Sequence, residues 1–172
     1  MELRSLIRDI PDFPAPGILF RDVTPLLADA AGLTAAMDAL ADLAEGWDIT
    51  RVVGIESRGF LFGVPVAERL SVGFAPMRKA GKLPHTVHQQ SYGLEYGTDV
   101  LELHTDAVGP GDRVLVVDDV LATGGTAEAA IALVRRTGAA VAGSLFLVEL
   151  TGLEGRARLG PDAGHVASLL AY

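Results

Sequence analysis

The chain has 172 residues, enough for one ordinary domain with a sizeable core and short for two, so residues 1–172 are expected to form a single domain. Hydrophobic residues make up 49% of it, yet no apolar run approaches the roughly 18 residues of a membrane-spanning helix, and the lack of cysteine removes disulfides, thiolate metal sites and cysteine nucleophiles. A formal net charge of -8 argues against a surface built to neutralise DNA or RNA phosphates, while leaving room for a local basic pocket that holds a small anion.

The opening segment MELRSLIRDIPDFP carries acids and prolines where a signal peptide needs a continuous apolar stretch, so a cytoplasmic location is expected. Leu3, Leu6, Ile7 and Ile10 recur at helical spacing until Pro11, which predicts a short first helix. The connector from Pro11 to Pro25 is rich in proline, but Phe13, Ile18, Leu19 and Phe20 make it too apolar for a free linker, and it is expected to fold over something. Residues 32–46 place Leu33, Met37, Leu40 and Ala44 on one helical face, with Asp38, Asp42 and Glu45 elsewhere. Arg51 to Ile55 reads as a strand, Ser57 as the cap of a helix reaching about Leu70, and Val72 to Met77 as a second extended run.

Between Lys79 and Gly97 periodicity is lost and Gly, Pro, His, Gln and Tyr accumulate, which predicts a long functional loop or lid over about 79–98. Thr98 to His104 alternates Val100, Glu102 and His104 against Leu101 and Leu103, the pattern of a half-buried strand, and a turn follows at Gly109 to Asp112. Val114 to Val117, Gly125 to Thr137 and Ala140 to Leu147 then read as strand, helix and strand, a β-α-β unit in a buried parallel sheet. A last helix near Leu153 to Leu159 and a short strand near His165 to Leu170 complete the elements.

The chemistry concentrates in VLVVDDVLATGGTA, Val114 to Ala127. Two acids stand at the carboxyl end of a buried strand, the edge where open parallel sheets bind ligands. The small-residue loop Ala122, Thr123, Gly124, Gly125 and Thr126 permits close backbone approach, and a helix start behind it supplies unpaired N–H groups and a positive dipole end. No lysine follows the glycines as in a Walker loop, and the glycine spacing is not that of a dinucleotide fingerprint. Adjacent acids would repel a phosphate unless they faced something else. Sugar hydroxyls donate to carboxylates, so a ribose 5-phosphate fits both halves, with phosphate on the loop and hydroxyls on Asp118 and Asp119.

This segment resembles the phosphoribosyl-diphosphate motif of the type I phosphoribosyltransferases. Four further stretches resemble the adenine-specific branch: DFPAPGILFRDVTP (Asp12 to Pro25), GIESRGFLFG (Gly54 to Gly63), RKAGKLP (Arg78 to Pro84) and YGLEYG (Tyr92 to Gly97). The resemblance implies an α/β fold with a central, mostly parallel twisted sheet flanked by helices, a small N-terminal hood over about 1–30, and a flexible lid. It implies adenine binding by Phe20 against the base plane and by the backbone of Leu19 and Arg21. It implies that Glu56, Ser57, Arg58 and Gly59 form a diphosphate loop, joined by the cations Arg78, Lys79 and Lys82. Some of these cations serve a neighbouring subunit in related enzymes, so a homodimer is expected. Glu95 matches the catalytic glutamate, with Tyr96 beside it on the ribose side, and Asp118 and Asp119 complete the catalytic set.

The implied reaction, a step of purine salvage, gives AMP and diphosphate from adenine and 5-phosphoribosyl 1-diphosphate. Mg²⁺ is expected to ride on the substrate with no direct protein ligation. His85, His88, His104 and His165 fit no zinc pattern. The alternatives are transfer to hypoxanthine, guanine, xanthine or orotate on the same fold, and a non-catalytic regulator that senses the donor.

Overall fold

A computed structural model of the chain describes residues 2–94 and 97–172. It divides into two compact units, Met1–Ala39 and Leu40–Tyr172.

In the first unit a 3-10 turn, Leu3–Leu6, leads into β1 (Arg8–Pro11), which pairs antiparallel with β2 (Leu19–Asp22). The short first helix expected from the leucine and isoleucine spacing is therefore not formed beyond that turn. Eight residues give too few hydrogen bonds to offset helix nucleation, whereas Ile10 opposite Phe20 and Arg8 opposite Asp22 gain a strand partner. Between the strands Phe13 packs edge-on against Phe20 with ring centroids 5.2 Å apart, and the Gly17 N–H donates to Asp12. Two helices follow, α1 (Thr24–Ala28) and α2 (Ala30–Leu43), each opened by an aspartate. The Asp22 carboxylate accepts from the Thr24 N–H at 3.0 Å and Asp29 from the Gly32 N–H at 2.7 Å.

The second unit is built on a seven-stranded sheet in the order β5-β6-β4-β3-β7-β8-β9. Its strands are β3 (Arg51–Ile55), β4 (Gly73–Lys79), β5 (Val87–Leu94), β6 (Gly97–His104), β7 (Arg113–Leu121), β8 (Ala140–Glu149) and β9 (His165–Ala171). From β4 through β9 the neighbours run parallel, while β6 is antiparallel to both β4 and β5. Three helices, α3 (Arg58–Arg69), α4 (Gly125–Arg136) and α5 (Gly155–Leu159), make the crossovers and packing. The central strands are apolar without alternation because both faces are covered: Val52, Val53, Val114, Leu115, Val116 and Val117 are all buried. Among the described residues no helix is long and apolar enough to cross a membrane.

Three local readings change. Ser57 precedes α3 but makes no side-chain cap, because its backbone (φ -112, ψ -34) is near-helical and not the extended form from which a cap oxygen reaches back. The last predicted helix is split at Glu154, whose φ of 54 separates a 3-10 turn, Thr151–Leu153, from α5. The aperiodic segment before Gly97 contains β5, which is held by backbone pairing to β6 along its whole length and so needs no alternating side chains.

Chain order runs from β3 outward to β4 on one side, and from β7 outward through β8 to β9 on the other. The direction thus reverses between β3 and β7, and the crevice at their carboxyl ends is where such sheets take ligands.

Candidate active site at the β3 and β7 edge

The two strands at this switch point are in register, Gly54 opposite Val117, so the residues that follow them emerge side by side. After β3 come Glu56 and Ser57, joined by a cis peptide, and then the start of α3. Gly59 lies so close to β7 that a Cβ on it would stand 2.7 Å from the Val117 carbonyl oxygen and 3.1 Å from an Asp118 carboxylate oxygen. That contact seats the α3 N-terminus against the acid pair. Arg58 uses the proximity: its Nε donates to Asp119 Oδ2, and Asp119 itself is buried.

Asp118 is half-buried, and its Oδ1 accepts the backbone N–H of Asp119 at 2.9 Å. Burial, together with the neighbouring Asp119 carboxylate, pushes the Asp118 carboxyl well above the usual carboxylate range. The edge therefore holds one acid already satisfied by a guanidinium and one that gains from any hydrogen-bond donor or positive charge placed beside it.

Beyond β7 the loop runs through Ala122 and the exposed Thr123 to Gly124, whose φ of 83 favours glycine, and α4 starts at Gly125. The Gly124 carbonyl accepts from the Glu128 N–H at 2.8 Å, the first bond of the helix. The amides of Gly125 and Thr126 in that first turn have no intrahelical acceptor, so they are available to an anion.

On the other side of β3 the end of β4 and the turn after it carry Arg78, Lys79 and Lys82, organised by carboxylates. Glu56, largely buried, accepts from the Lys79 N–H at 2.9 Å, from Arg78 Nε at 3.3 Å and from the Lys82 ammonium. Burial works to raise its pKa, but Lys82, the Lys79 amide and Arg78 outweigh it and hold the carboxyl below the ordinary range. The Lys79 ammonium turns instead to Tyr92 and Asp99 on β5 and β6. Glu102, buried beneath the turn, accepts from the Gly81 N–H at 3.0 Å and from Gln89 Nε2 at 2.6 Å.

A phosphoribosyl transferase domain model matches residues 22–170. An adenine phosphoribosyltransferase of Synechococcus sp. is 54% identical over 172 residues, covering 100% of this chain and 99% of the relative. The crystal structure of adenine phosphoribosyltransferase from Thermoanaerobacter pseudethanolicus superposes with a TM-score of 0.96 at 48% identity, covering 99% of this chain and 98% of that one. The chain belongs to the phosphoribosyltransferase family. The Saccharomyces cerevisiae adenine phosphoribosyltransferase, solved with adenine and an imino-altritol bisphosphate, has a TM-score of 0.91 at 40% identity, over 98% of this chain and 97% of that one.

As a phosphoribosyltransferase, the chain brings several residues singled out in the sequence into direct contact. Arg58 meets Asp119, Gly59 meets Asp118, and Glu56 gathers Arg78, the Lys79 amide and Lys82. Leu19, Phe20 and Arg21 lie on β2 in the first unit, bounded by β1 on one side. Glu95 and Tyr96 lie outside the described residues. Sequence reasoning missed Asp99 and Glu102, since strand alternation placed Glu102 on an outer face. The signal that could have found it is position: an acid directly across from Arg78 in the pairing of β4 with β6. No group of three or more His, Asp or Glu able to hold a metal occurs among the described residues; His85 instead stacks edge-on near His104, and His165 lies on Trp47.

Proposed function

We propose that the chain transfers the 5-phosphoribosyl group of 5-phosphoribosyl 1-diphosphate to adenine, forming AMP and diphosphate in purine salvage. The observation that carries this reading is the pair Asp118 and Asp119 in the carboxyl-terminal half of β7, the strand that leads into the glycine loop opening α4. The full-length similarity to adenine phosphoribosyltransferases supports adenine as the base.

In this mechanism the 5-phosphate takes the amides of Thr123 to Thr126, and the ribose hydroxyls donate to Asp118 and Asp119. As the bond from ribose C1 to the diphosphate loosens, positive charge grows on the ring, and the two carboxylates add negative potential beside it. Arg58, Arg78 and Lys82, with the Ser57 and Gly59 backbone, receive the departing diphosphate, and Lys79 supports the same turn. Adenine N9 attacks from the opposite face and the ring is inverted at C1. Phe20 holds the base plane, and the Leu19 and Arg21 backbone reads the amino donor and ring-nitrogen acceptor of adenine. Glu95 manages the proton shared between N7 and N9, with Tyr96 beside it, in a lid that excludes water. Mg²⁺ would fit as a companion of the donor: the β7 edge offers two carboxylates, one already paired with Arg58, too few for a protein cage, so the ion would be held mainly by the substrate and would supply charge neutralisation for the leaving group. A homodimer and a cytoplasmic setting complete the proposal.

The test is to incubate the chain with Mg²⁺, the donor and each purine separately and to separate the nucleotides. AMP from adenine, with little product from hypoxanthine, guanine or xanthine, is expected. Product from another base would reassign the substrate, and donor binding with no product from any base would favour a donor-sensing regulator. Glu95→Gln is expected to lower turnover by about 10²- to 10⁴-fold with little change in donor affinity. Near-normal turnover would reject the proton role.

A further inference from the structure

Behind the glycine loop lies a segment that none of the proposed roles uses, the 3-10 turn Thr151–Leu153 together with α5. The two pieces of chain meet backbone to backbone. A Cβ on Gly155 would stand 2.1 Å from the Ala122 carbonyl oxygen and 3.1 Å from the Gly124 nitrogen, and a Cβ on Gly124 would stand 2.7 Å from the Gly155 carbonyl oxygen. Gly155 does not need glycine for its own backbone angle, so closeness to the loop is what excludes a side chain.

The segment cannot simply retreat. Arg156 forks onto Glu149 at 2.9 and 2.5 Å and also donates to the Val166 carbonyl at 2.6 Å and to Ser168 Oγ at 3.2 Å, which ties α5 to β8 and β9. Arg158 reaches the other way: its guanidinium lies 3.2 to 3.5 Å from where a Gly125 Cβ would be, and its Nε donates to Glu128 on the first turn of α4 at 2.7 Å.

We infer that Thr151 to Leu159 is a positioning element that sets the curvature of the anion loop, with Gly155 and Arg158 as the residues that press on it. The mechanism is geometric. Anion capture by backbone amides depends on several N–H vectors converging on one point, and displacement of Ala122 or Gly124 by a fraction of an ångström spreads them. The inference rests on the transferase reading in one respect, that the loop's anion is the 5-phosphate.

The experiment is steady-state kinetics of the full chain with donor and adenine varied independently, together with calorimetric binding of ribose 5-phosphate, which needs no catalysis. Gly155→Ala is expected to raise the donor KM and the ribose 5-phosphate Kd by about tenfold to a hundredfold, with the adenine KM at saturating donor little changed. Should Gly155→Ala fail to fold, Arg158→Ala, at a side chain nearly half exposed, carries the test with a smaller rise of a few fold, and Arg158→Lys is expected to recover part of it. The inference is overturned if ribose 5-phosphate binding is unchanged in the folded variants, or if all kinetic constants fall together in proportion to folded fraction. A wild-type chain that binds ribose 5-phosphate but makes no AMP would defeat the transferase reading alone, and a shifted Kd in Gly155→Ala would then still support the positioning role.

Discussion

The loop after β7 and the turn after β4 face anions by opposite means. The loop presents backbone amides, shaped by Gly124 at φ 83 and pressed from behind by Gly155 and the Arg158 guanidinium. The turn presents Arg78, Lys79 and Lys82, and what fixes it is carboxylates: Glu56, Asp99 and Glu102. A backbone cradle is rigid and breaks when its chain path changes. Ion-paired cations can exchange one partner for another, so Lys82 and Arg78 are able to leave Glu56 for a diphosphate and return to it. The difference suits a reaction in which the phosphate end of the donor stays bound to the product while the diphosphate end departs.

The sharpest way to break this contrast is Gly124→Ala. It meets both an unfavourable φ and the Gly155 carbonyl, and a misplacement of that kind is expected to lower kcat/KM for the donor about 10²-fold. Glu102→Ala follows. It removes the acceptor of the Gly81 N–H and the Gln89 amide; both donors sit on exposed residues that water can reach, so the loss is that of the hydrogen bonds themselves, about 0.5–1.5 kcal/mol, read as a lower midpoint in urea unfolding. Glu102→Gln keeps an acceptor and is expected to recover much of the loss. Smaller still is Lys82→Met. The Lys82 side chain is nearly half exposed, and pairs of this type contribute about 0.2–1 kcal/mol, so a donor KM raised by a few fold and converging on wild type at high salt is expected. A loss from Lys82→Met as large as that from Gly124→Ala would erase the distinction between the two regions.

How far each region could be read beforehand follows from the same physics. The unit from β7 through α4 to β8 is legible because its signals are local: a continuous apolar strand, two acids, glycines, a helix start. The strands β3 and β9 fall close to their expected limits for similar reasons. The carboxylates that shape the basic turn are not legible, because Glu56 reaches Lys82 across 26 positions and Gly81 reaches Glu102 across 21, and nothing in either neighbourhood announces the partner. The same holds for Gly155, which falls inside the predicted Leu153 to Leu159 helix with nothing to mark it until its approach to Ala122 is seen. The first helix misled for the opposite reason: Leu3, Leu6, Ile7 and Ile10 gave a local signal that pairing with β2 overrode.

Asp118 offers the finest test, because it probes the boundary between the acid pair and the loop. Its carboxyl is raised by burial and by Asp119, so near neutral pH it keeps more proton than an ordinary aspartate does. A folded-state pKa above the unfolded one means that the native chain binds more protons in that window, so this group's contribution to stability falls as pH rises through the interval between the two values. Donor binding works against the same proton, since ribose hydroxyls donate to the charged carboxylate. Binding is therefore expected to release a fraction of a proton and to tighten as pH rises, levelling off once Asp118 is ionised in the free enzyme. Calorimetry in two buffers of different ionisation enthalpy reads the release directly, and ribose 5-phosphate compared with the full donor separates the sugar from the diphosphate. Asp118→Asn should abolish the release and weaken binding at all pH values. If the asparagine variant releases as much proton as the wild type, the titrating group lies elsewhere and Asp118 does not hold the sugar.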